Sequence, residues 1–278
     1  MDTSPFHLGL YAARSRYTEL GLSQMLPLQR VLVGAASSRQ GAFGGFHHQD
    51  QGYRHLQMLA VITMFGPLEQ DIPERPTVAL LDLLRAYAHD CLHYGSRRRY
   101  VNVAGIPTRT QYGINYRRAT GQTYSSTDPQ GTPHTRNIGI VMEGACDREA
   151  RRITRETAAR AGIQEPDDPF GRLVFRDVTG TLSADDVTGS AAKPSGEADR
   201  YAASLRRYET GVNRRYAVFL SEFAPEEEED LHDLLLTAVI SGETRGLSIW
   251  LDARHGPGTF AGIFQSRAYF APALDLTA

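Results

Sequence analysis

The sequence has 278 residues, of which 41% are hydrophobic and 22% are charged. This length suits one large domain or two small ones, and this composition excludes wholesale disorder because enough apolar material is present to form a core. No apolar run approaches the ~20 residues that a membrane span needs, and the formal net charge of -2 argues against a dedicated nucleic-acid-binding protein. The N-terminus lacks the basic start and apolar core of a signal peptide, and two cysteines, Cys91 and Cys146, cannot form a disulfide framework. We therefore expect a soluble, cytoplasmic protein with no nucleic-acid or membrane partner.

The basic residues are almost all arginine, since Lys193 is the only lysine among 30. So many guanidinium groups could indicate recognition of phosphate or carboxylate groups. A GC-rich bacterial genome that encodes arginine in place of lysine explains the bias more simply, and we expect a bacterial origin.

Apolar periodicity and capping residues predict helices, strands and loops in the first 165 residues. The most regular helix follows Thr77, an N-cap candidate, and ends at Gly95. A second long helix follows Asn137 and ends at Gly162. The other predicted elements are a strand over 30–37, a loop over 38–53, a short helix over 54–66, strands and turns over 100–126 and a polar loop over 127–136.

The second half of the chain is predicted to be mainly helical. Residues 164–197 are rich in Asp, Gly, Ser and Pro and predict a loop or linker with a short strand at Leu173–Phe175. Helices follow over 198–220 and from Pro225, and an apolar run at Leu247–Leu251 predicts a strand. These elements indicate an α+β fold with a core over 1–165, a loop or linker over 166–196 and a mainly helical C-terminal segment over 197–278.

Two histidines on the first long helix are candidate metal ligands. His89 and His93 are four residues apart, which places them on one helical face, roughly 40° from each other. Leu80 and Leu84 lie on the opposite face, while Asp82 and Arg85 share the histidine face. We therefore expect the leucines to be buried and the two imidazoles to project into a cleft, where they can bind one ion. Cys91 points away from that ion.

A catalytic zinc needs a third protein ligand and an open position for water. The second long helix offers Glu143 and Asp147, which are also four residues apart and share a face. Glu143 can bind the metal, and Asp147 can accept the outer N–H of a ligating histidine and so fix its tautomer.

These residues resemble the gluzincin group of zinc metallopeptidases, whose motif is HExxH followed downstream by ExxxD. The resemblance covers about 85–160 and implies His89, His93 and Glu143 as zinc ligands and Asp147 as the acid that orients a ligating histidine. It further implies a metallopeptidase-like core, with an active-site helix, a small β region and a second ligand helix. The family's general base is the glutamate after the first histidine, and this sequence has Asp90 there, which is one methylene shorter.

The resemblance implies hydrolysis of a peptide or small-molecule amide. Asp90 would accept a proton from a water activated by zinc, and the resulting hydroxide would attack the carbonyl. A second donor would stabilise the oxyanion. Candidates by position alone are Tyr112, Tyr116, Tyr124 and His134, and the histidines of the preceding loop, His47, His48 and His55, could line the cleft.

Three other hypotheses remain open. An HD-type phosphohydrolase would use His55, His89, Asp90 and Asp147 as ligands, but that family is all-helical and residues 100–136 predict strands. Glu229 and His232 have the spacing of a di-iron carboxylate motif, although we find no second pair. The two helix histidines could also hold a structural zinc in a non-catalytic binding protein.

Overall fold

The computed structural model describes residues 2–32, 56–57, 75–188 and 197–270. The chain divides into two compact units. Unit 1 comprises Met1–Gly95 and Cys146–Asn213, and unit 2 comprises Ser96–Ala145 and Arg214–Ala278. The second division falls within a continuous helix, Ile138–Arg160, so this helix has its first eight residues in one unit and the rest in the other.

The described residues of unit 1 form helices and one small pair of strands. The strands β1 and β2 pair in parallel, with Val31 opposite Leu56. A short 3₁₀ helix precedes β1, and a π-helical turn ends the unit. The elements are α1 (Ser4–Glu19), the 3₁₀ helix (Leu28–Arg30), β1 (Val31–Leu32), β2 (Leu56–Gln57), α2 (Pro76–Gly95), the C-terminal part of α3 (Ile138–Arg160), α4 (Pro169–Thr179), α5 (Ala184–Thr188), α6 (Glu197–Tyr208) and the π turn (Glu209–Asn213).

Helix α2 forms the centre of unit 1 and is buried on nearly every side. It begins at Pro76, whose missing N–H costs nothing in the first turn of a helix. Helix α1 packs against it, with Gly9 so close to Leu84 that a side chain at position 9 would displace the leucine. The hydroxyl of Tyr17 in α1 donates to the carbonyl of Ala88, 2.9 Å away. These contacts hold the turn of α2 that carries the histidines.

Unit 2 combines a three-stranded antiparallel sheet with helices. The sheet order is β3-β4-β5. The first two strands are joined by Ala104 and Gly105, which both have positive φ, as a type I′ hairpin turn requires. The core includes the fully buried rings of Tyr216, Phe219 and Phe264. The elements are β3 (Arg98–Val103), β4 (Ile106–Tyr112), β5 (Asn115–Tyr116), the N-terminal part of α3, α7 (Arg214–Leu220), a 3₁₀ helix (Pro225–Glu227), α8 (Glu228–Ser241), α9 (Arg245–His255), α10 (Thr259–Phe264) and α11 (Arg267–Phe270).

Helices together with a small sheet confirm the predicted α+β class at this coarse level. The helices that end at Gly95 and near Gly162, the strands within 100–126 and the loop over 127–136 are also confirmed. No helix in the described part of the chain is long and apolar enough to cross a membrane. The predictions for residues 33–53 lie outside the described residues, and of the helix predicted over 54–66 only Leu56–Gln57 is described, as a strand.

The loop or linker predicted over 166–196 is wrong for most of its described residues. Helix α4 begins there, where the Asp168 side chain accepts from the backbone N–H of Gly171 at 2.8 Å, and it ends at Gly180, whose φ is 70°. These are an N-cap and a C-terminal glycine, so the strand at Leu173–Phe175 is also wrong. The apolar run Leu247–Leu251 lies inside α9 and not in a strand. The two compact units also differ from the predicted ranges 1–165 and 197–278, because each unit takes residues from both halves of the chain.

Candidate metal centre

His89 and His93 lie one helical turn apart near the end of α2, and their ring planes are tilted by 58°. Their Nε2 atoms are 2.9 Å apart, and the ring centroids are separated by 4.5 Å. Two imidazole nitrogens bound to one tetrahedral zinc at about 2.0–2.1 Å would lie slightly further apart than this, so a small rotation of either ring suffices. Both side chains are largely buried, since His93 is 3% exposed and the side chain of His89 is 13% exposed.

Glu143 completes a group of three possible ligands. One ligand atom each from His89, His93 and Glu143 lie within 4.8 Å of one another. Two imidazole nitrogens and one carboxylate oxygen form a donor set that catalytic zinc sites use, with a fourth position left for water or substrate. The three residues could therefore hold a metal ion, and α3 carries its possible ligand on the turn before Asp147.

Asp147 lies beside the first of these histidines. Its Oδ1 is 3.5 Å from Nδ1 of His89 and accepts from Nη1 of Arg85 at 3.0 Å. Its Oδ2 accepts from Nδ2 of Asn213 at 2.9 Å and lies 2.9 Å from Nε of Arg151. Burial by itself raises the pKa of this carboxyl, but Arg151 and Arg85 outweigh burial and hold the pKa well below its usual range. An ionised carboxylate at this place favours a proton on Nδ1 of His89, which leaves Nε2 as the metal-binding atom.

A larger buried network of charges surrounds Asp147 within unit 1. Arg85 also pairs with Asp82 at 3.5 Å and lies 3.7 Å from Asp177. Arg151 pairs with Asp177 and with Glu209, the latter at 2.8 Å. Burial raises the pKa of Asp82 to about 6, because Arg85 offsets only part of the cost of burying its charge. The two arginines thus bind four acidic groups together.

Helix α2 also carries two residues that the group of possible ligands does not include, Asp90 and Cys91. Asp90 follows His89 directly, is 5% exposed and does not belong to the group. Cys91 is buried, and burial raises the pKa of its thiol to about 12. His55, with His47 and His48, lies outside the described residues.

The other candidates lie in unit 2, where they have partners of their own. The Tyr116 hydroxyl donates to the carbonyl of Gly242, and the Tyr124 hydroxyl accepts from Gln265 at 2.9 Å. Tyr112 is buried, and His134 is an exposed residue whose Nδ1 lies 3.3 Å from a carboxylate oxygen of Glu222. His232 is fully buried, with its Nδ1 2.8 Å from the Tyr216 hydroxyl. Neither it nor Glu229 belongs to the possible metal group.

Two residues that surround Asp147, Arg151 and Asn213, are not among the residues predicted from the sequence. Arg151 lies one turn after Asp147 on the same face of α3, so its spacing could have revealed it. Asn213 lies in a π-helical turn, which no pattern in the sequence indicated. No protein-family model, curated protein or solved structure matches this chain.

Proposed function

We propose that this chain is a zinc-dependent hydrolase that cleaves a peptide or a small-molecule amide. The observation that carries the proposal is the convergence of His89, His93 and Glu143, whose ligand atoms lie within 4.8 Å of one another. The donor set of two histidines and one glutamate belongs to zinc peptidases among other metal enzymes, and the HDxxH and ExxxD motifs on two helices favour that class.

The residues of the centre have separate roles in this proposal. When bound, zinc lowers the pKa of water toward ~7 and polarises a carbonyl. His89, His93 and Glu143 hold the ion, and Asp147 orients the imidazole of His89. Asp90 accepts the proton from the attacking water and later passes it to the leaving amine. Because its side chain is one methylene shorter than glutamate, Asp90 requires the helix to approach the substrate more closely or a second water to relay the proton.

The surroundings of Asp147 favour a hydrolase of this kind over an HD-type phosphohydrolase. That alternative needs Asp147 as a direct metal ligand. Both of its carboxylate oxygens already bind arginine, Oδ1 to Arg85 and Oδ2 to Arg151. A carboxylate whose charge is neutralised by two guanidinium groups is a poor ligand for a cation, so Asp147 suits the role of orienting His89.

Metal analysis of the purified protein tests the proposed ligands. We expect about one zinc per chain in the wild type, and loss of that zinc in both His93→Ala and Glu143→Ala. Two exposed residues serve as matched controls, His7→Ala in α1 and Glu156→Ala on the same helix as Glu143. These variants should keep the metal. Zinc retained in Glu143→Ala would contradict the ligand set.

A third variant tests the hydrolase itself. Asp90→Asn should keep its zinc and lose hydrolysis of a fluorogenic peptide library by a factor of about 10²–10⁴, the usual contribution of a general base. Zinc binding without cleavage of any probe by the wild type would favour the non-catalytic zinc-binding alternative. Undiminished activity in Asp90→Asn would exclude this residue as the base.

A further inference from the structure

The two oxygens of Asp147 have different partners. Oδ1 faces His89 Nδ1 and Arg85, whereas Oδ2 lies between Arg151 Nε and Asn213 Nδ2. The carboxylate is fully buried. Its orientation about the Cβ–Cγ bond therefore depends on the two partners of Oδ2, the hydrogen bond from Asn213 and the ion pair with Arg151.

These donors are held by the π turn that joins α6 to α7. Asn213 Nδ2 also donates to Oε2 of Glu209, 3.0 Å away, and Arg151 Nη1 donates to the same oxygen at 2.8 Å. Glu209 and Asn213 are the first and last residues of the turn. The π turn thus supplies one acceptor and one donor to the same cluster, and π turns within helices frequently occur at functional sites.

Without these partners of Oδ2, Asp147 would bind Arg85 through both of its oxygens. Arginine binds carboxylates most strongly through two parallel hydrogen bonds. Arg85 is already bound to Oδ1 at 3.0 Å, so a freely rotating carboxylate would turn both oxygens toward it. That rotation would move Oδ1 away from His89.

We propose that Asn213 and Arg151 are positioning residues of the metal centre, which hold Asp147 by Oδ2 so that Oδ1 stays directed at Nδ1 of His89. They thereby select the His89 tautomer that has its proton on Nδ1 and its lone pair on Nε2, toward His93. This inference rests on the proposed function, since the Nδ1–H tautomer prepares His89 to bind the metal. The tautomer itself exists without metal.

The tautomer can be measured in the metal-free protein. Two-bond ¹H–¹⁵N spectra at pH 8 distinguish the protonated from the unprotonated ring nitrogen, and His89→Asn and His93→Asn variants assign the two resonances. In the wild type we expect the proton of His89 on Nδ1 and that of His93 on Nε2, because the two Nε2 atoms are 2.9 Å apart and one must donate to the other. In Asn213→Ala we expect a mixture of tautomers for His89.

Two further variants separate positioning from packing. Asn213→Asp keeps the shape of the side chain but removes the N–H donor, and it should also give a mixture. Thr210→Ala changes an exposed residue of the same π turn whose hydroxyl donates to backbone carbonyls, and it should leave His89 as in the wild type. A pure Nδ1–H tautomer of His89 in both Asn213 variants, or an Nε2–H tautomer in the wild type, would overturn the proposal.

Zinc affinity, measured by competition with a chelator, extends the test to the metal-bound protein. Asp147→Asn should weaken zinc binding by about 10–100-fold, as the loss of an outer partner usually does. Added to the wild type, Asn213→Ala should weaken zinc binding. Added to Asp147→Asn, it should cause no further loss, because Asn213 acts through Asp147. Additive losses would contradict the proposal. If the wild type binds no zinc, the proposed function fails, while the tautomer measurement still decides the role of Asn213.

Discussion

Asp82 and Asp147 are both fully buried beside Arg85, yet their pKa values shift in opposite directions. Burial raises the pKa of each carboxyl. Asp147 has Arg85, Arg151 and Asn213 around it, so its charged form is stabilised. Asp82 has an ion pair with Arg85 at 3.5 Å, and none of the donors in the described part of the chain forms a hydrogen bond to its oxygens. The number of donors, and not burial alone, therefore determines which carboxylate stays ionised.

The raised pKa of Asp82 has a measurable consequence for stability. The carboxyl titrates near 3.8 when unfolded and near 6 when folded, so the folded state binds more protons between these values. The free energy of unfolding therefore falls as pH rises through this window. Asp82→Asn removes that dependence. From pH 4.5 to pH 7, the free energy of unfolding of the variant should therefore rise by about 2 kcal/mol relative to that of the wild type.

Urea unfolding of the metal-free proteins at the two pH values measures this difference. Asp185→Asn, an exposed acid in α5, is the matched control and should follow the wild type at both pH values. Equal free-energy differences between Asp82→Asn and the wild type at pH 4.5 and pH 7 would show that Asp82 is ionised at both.

Residues of the candidate site were predictable only where they repeat along a helix. The pairs His89 and His93, and Glu143 and Asp147, follow from the four-residue spacing, which needs no knowledge of the rest of the chain. Asn213, which donates a hydrogen bond to Asp147, lies 66 positions later in the sequence. No local pattern encodes such a contact, because it depends on how α6 and the π turn pack in unit 1.

At the scale of elements, helix α3 is held by a contact next to its proposed ligand. Gly144 follows Glu143 and packs so closely on Tyr216 that an added Cβ would overlap the tyrosine side chain. Tyr216 is itself fixed, since it is buried and its hydroxyl lies 2.8 Å from His232. A glycine within this helix therefore serves close packing, despite its low helix propensity.

Two glycine-to-alanine variants test this contact. Gly144→Ala should lower the free energy of unfolding by about 1–3 kcal/mol, because overpacking outweighs the gain in helix propensity. Gly246→Ala in α9, where an added Cβ meets no atom within 4 Å, should raise it by up to about 1 kcal/mol. Chemical denaturation followed by circular dichroism measures both values, and stabilisation by Gly144→Ala would contradict the packing argument.

Elements were predicted well where caps and periodicity agreed, as in α2 and α3. Helix α4 was missed although Asp168, Pro169 and Gly180 form a complete set of start and stop signals, because the surrounding residues are rich in Gly, Ser and Asp. Helix α9 was missed because Leu247–Leu251 is a short apolar run, whose periodicity does not distinguish a strand from a buried helix.

At the scale of the whole molecule, the domains predicted from the sequence follow one another along the chain. Unit 1 instead combines residues 1–95 with residues 146–213, and unit 2 combines 96–145 with 214–278. Composition shifts along the sequence cannot indicate such a division, because it arises from contacts between distant segments. His89 and Asp147 thus belong to one unit although fifty residues of the other unit separate them in sequence.

The central claim is that His89, His93 and Glu143 bind one cation. Anomalous diffraction at the zinc edge, from crystals of zinc-loaded protein, tests it most directly. We expect one strong peak at about 2.0–2.2 Å from Nε2 of each histidine and from a carboxylate oxygen of Glu143. A peak bound by other residues, or a fully zinc-saturated crystal with no peak at these three side chains, would contradict the account.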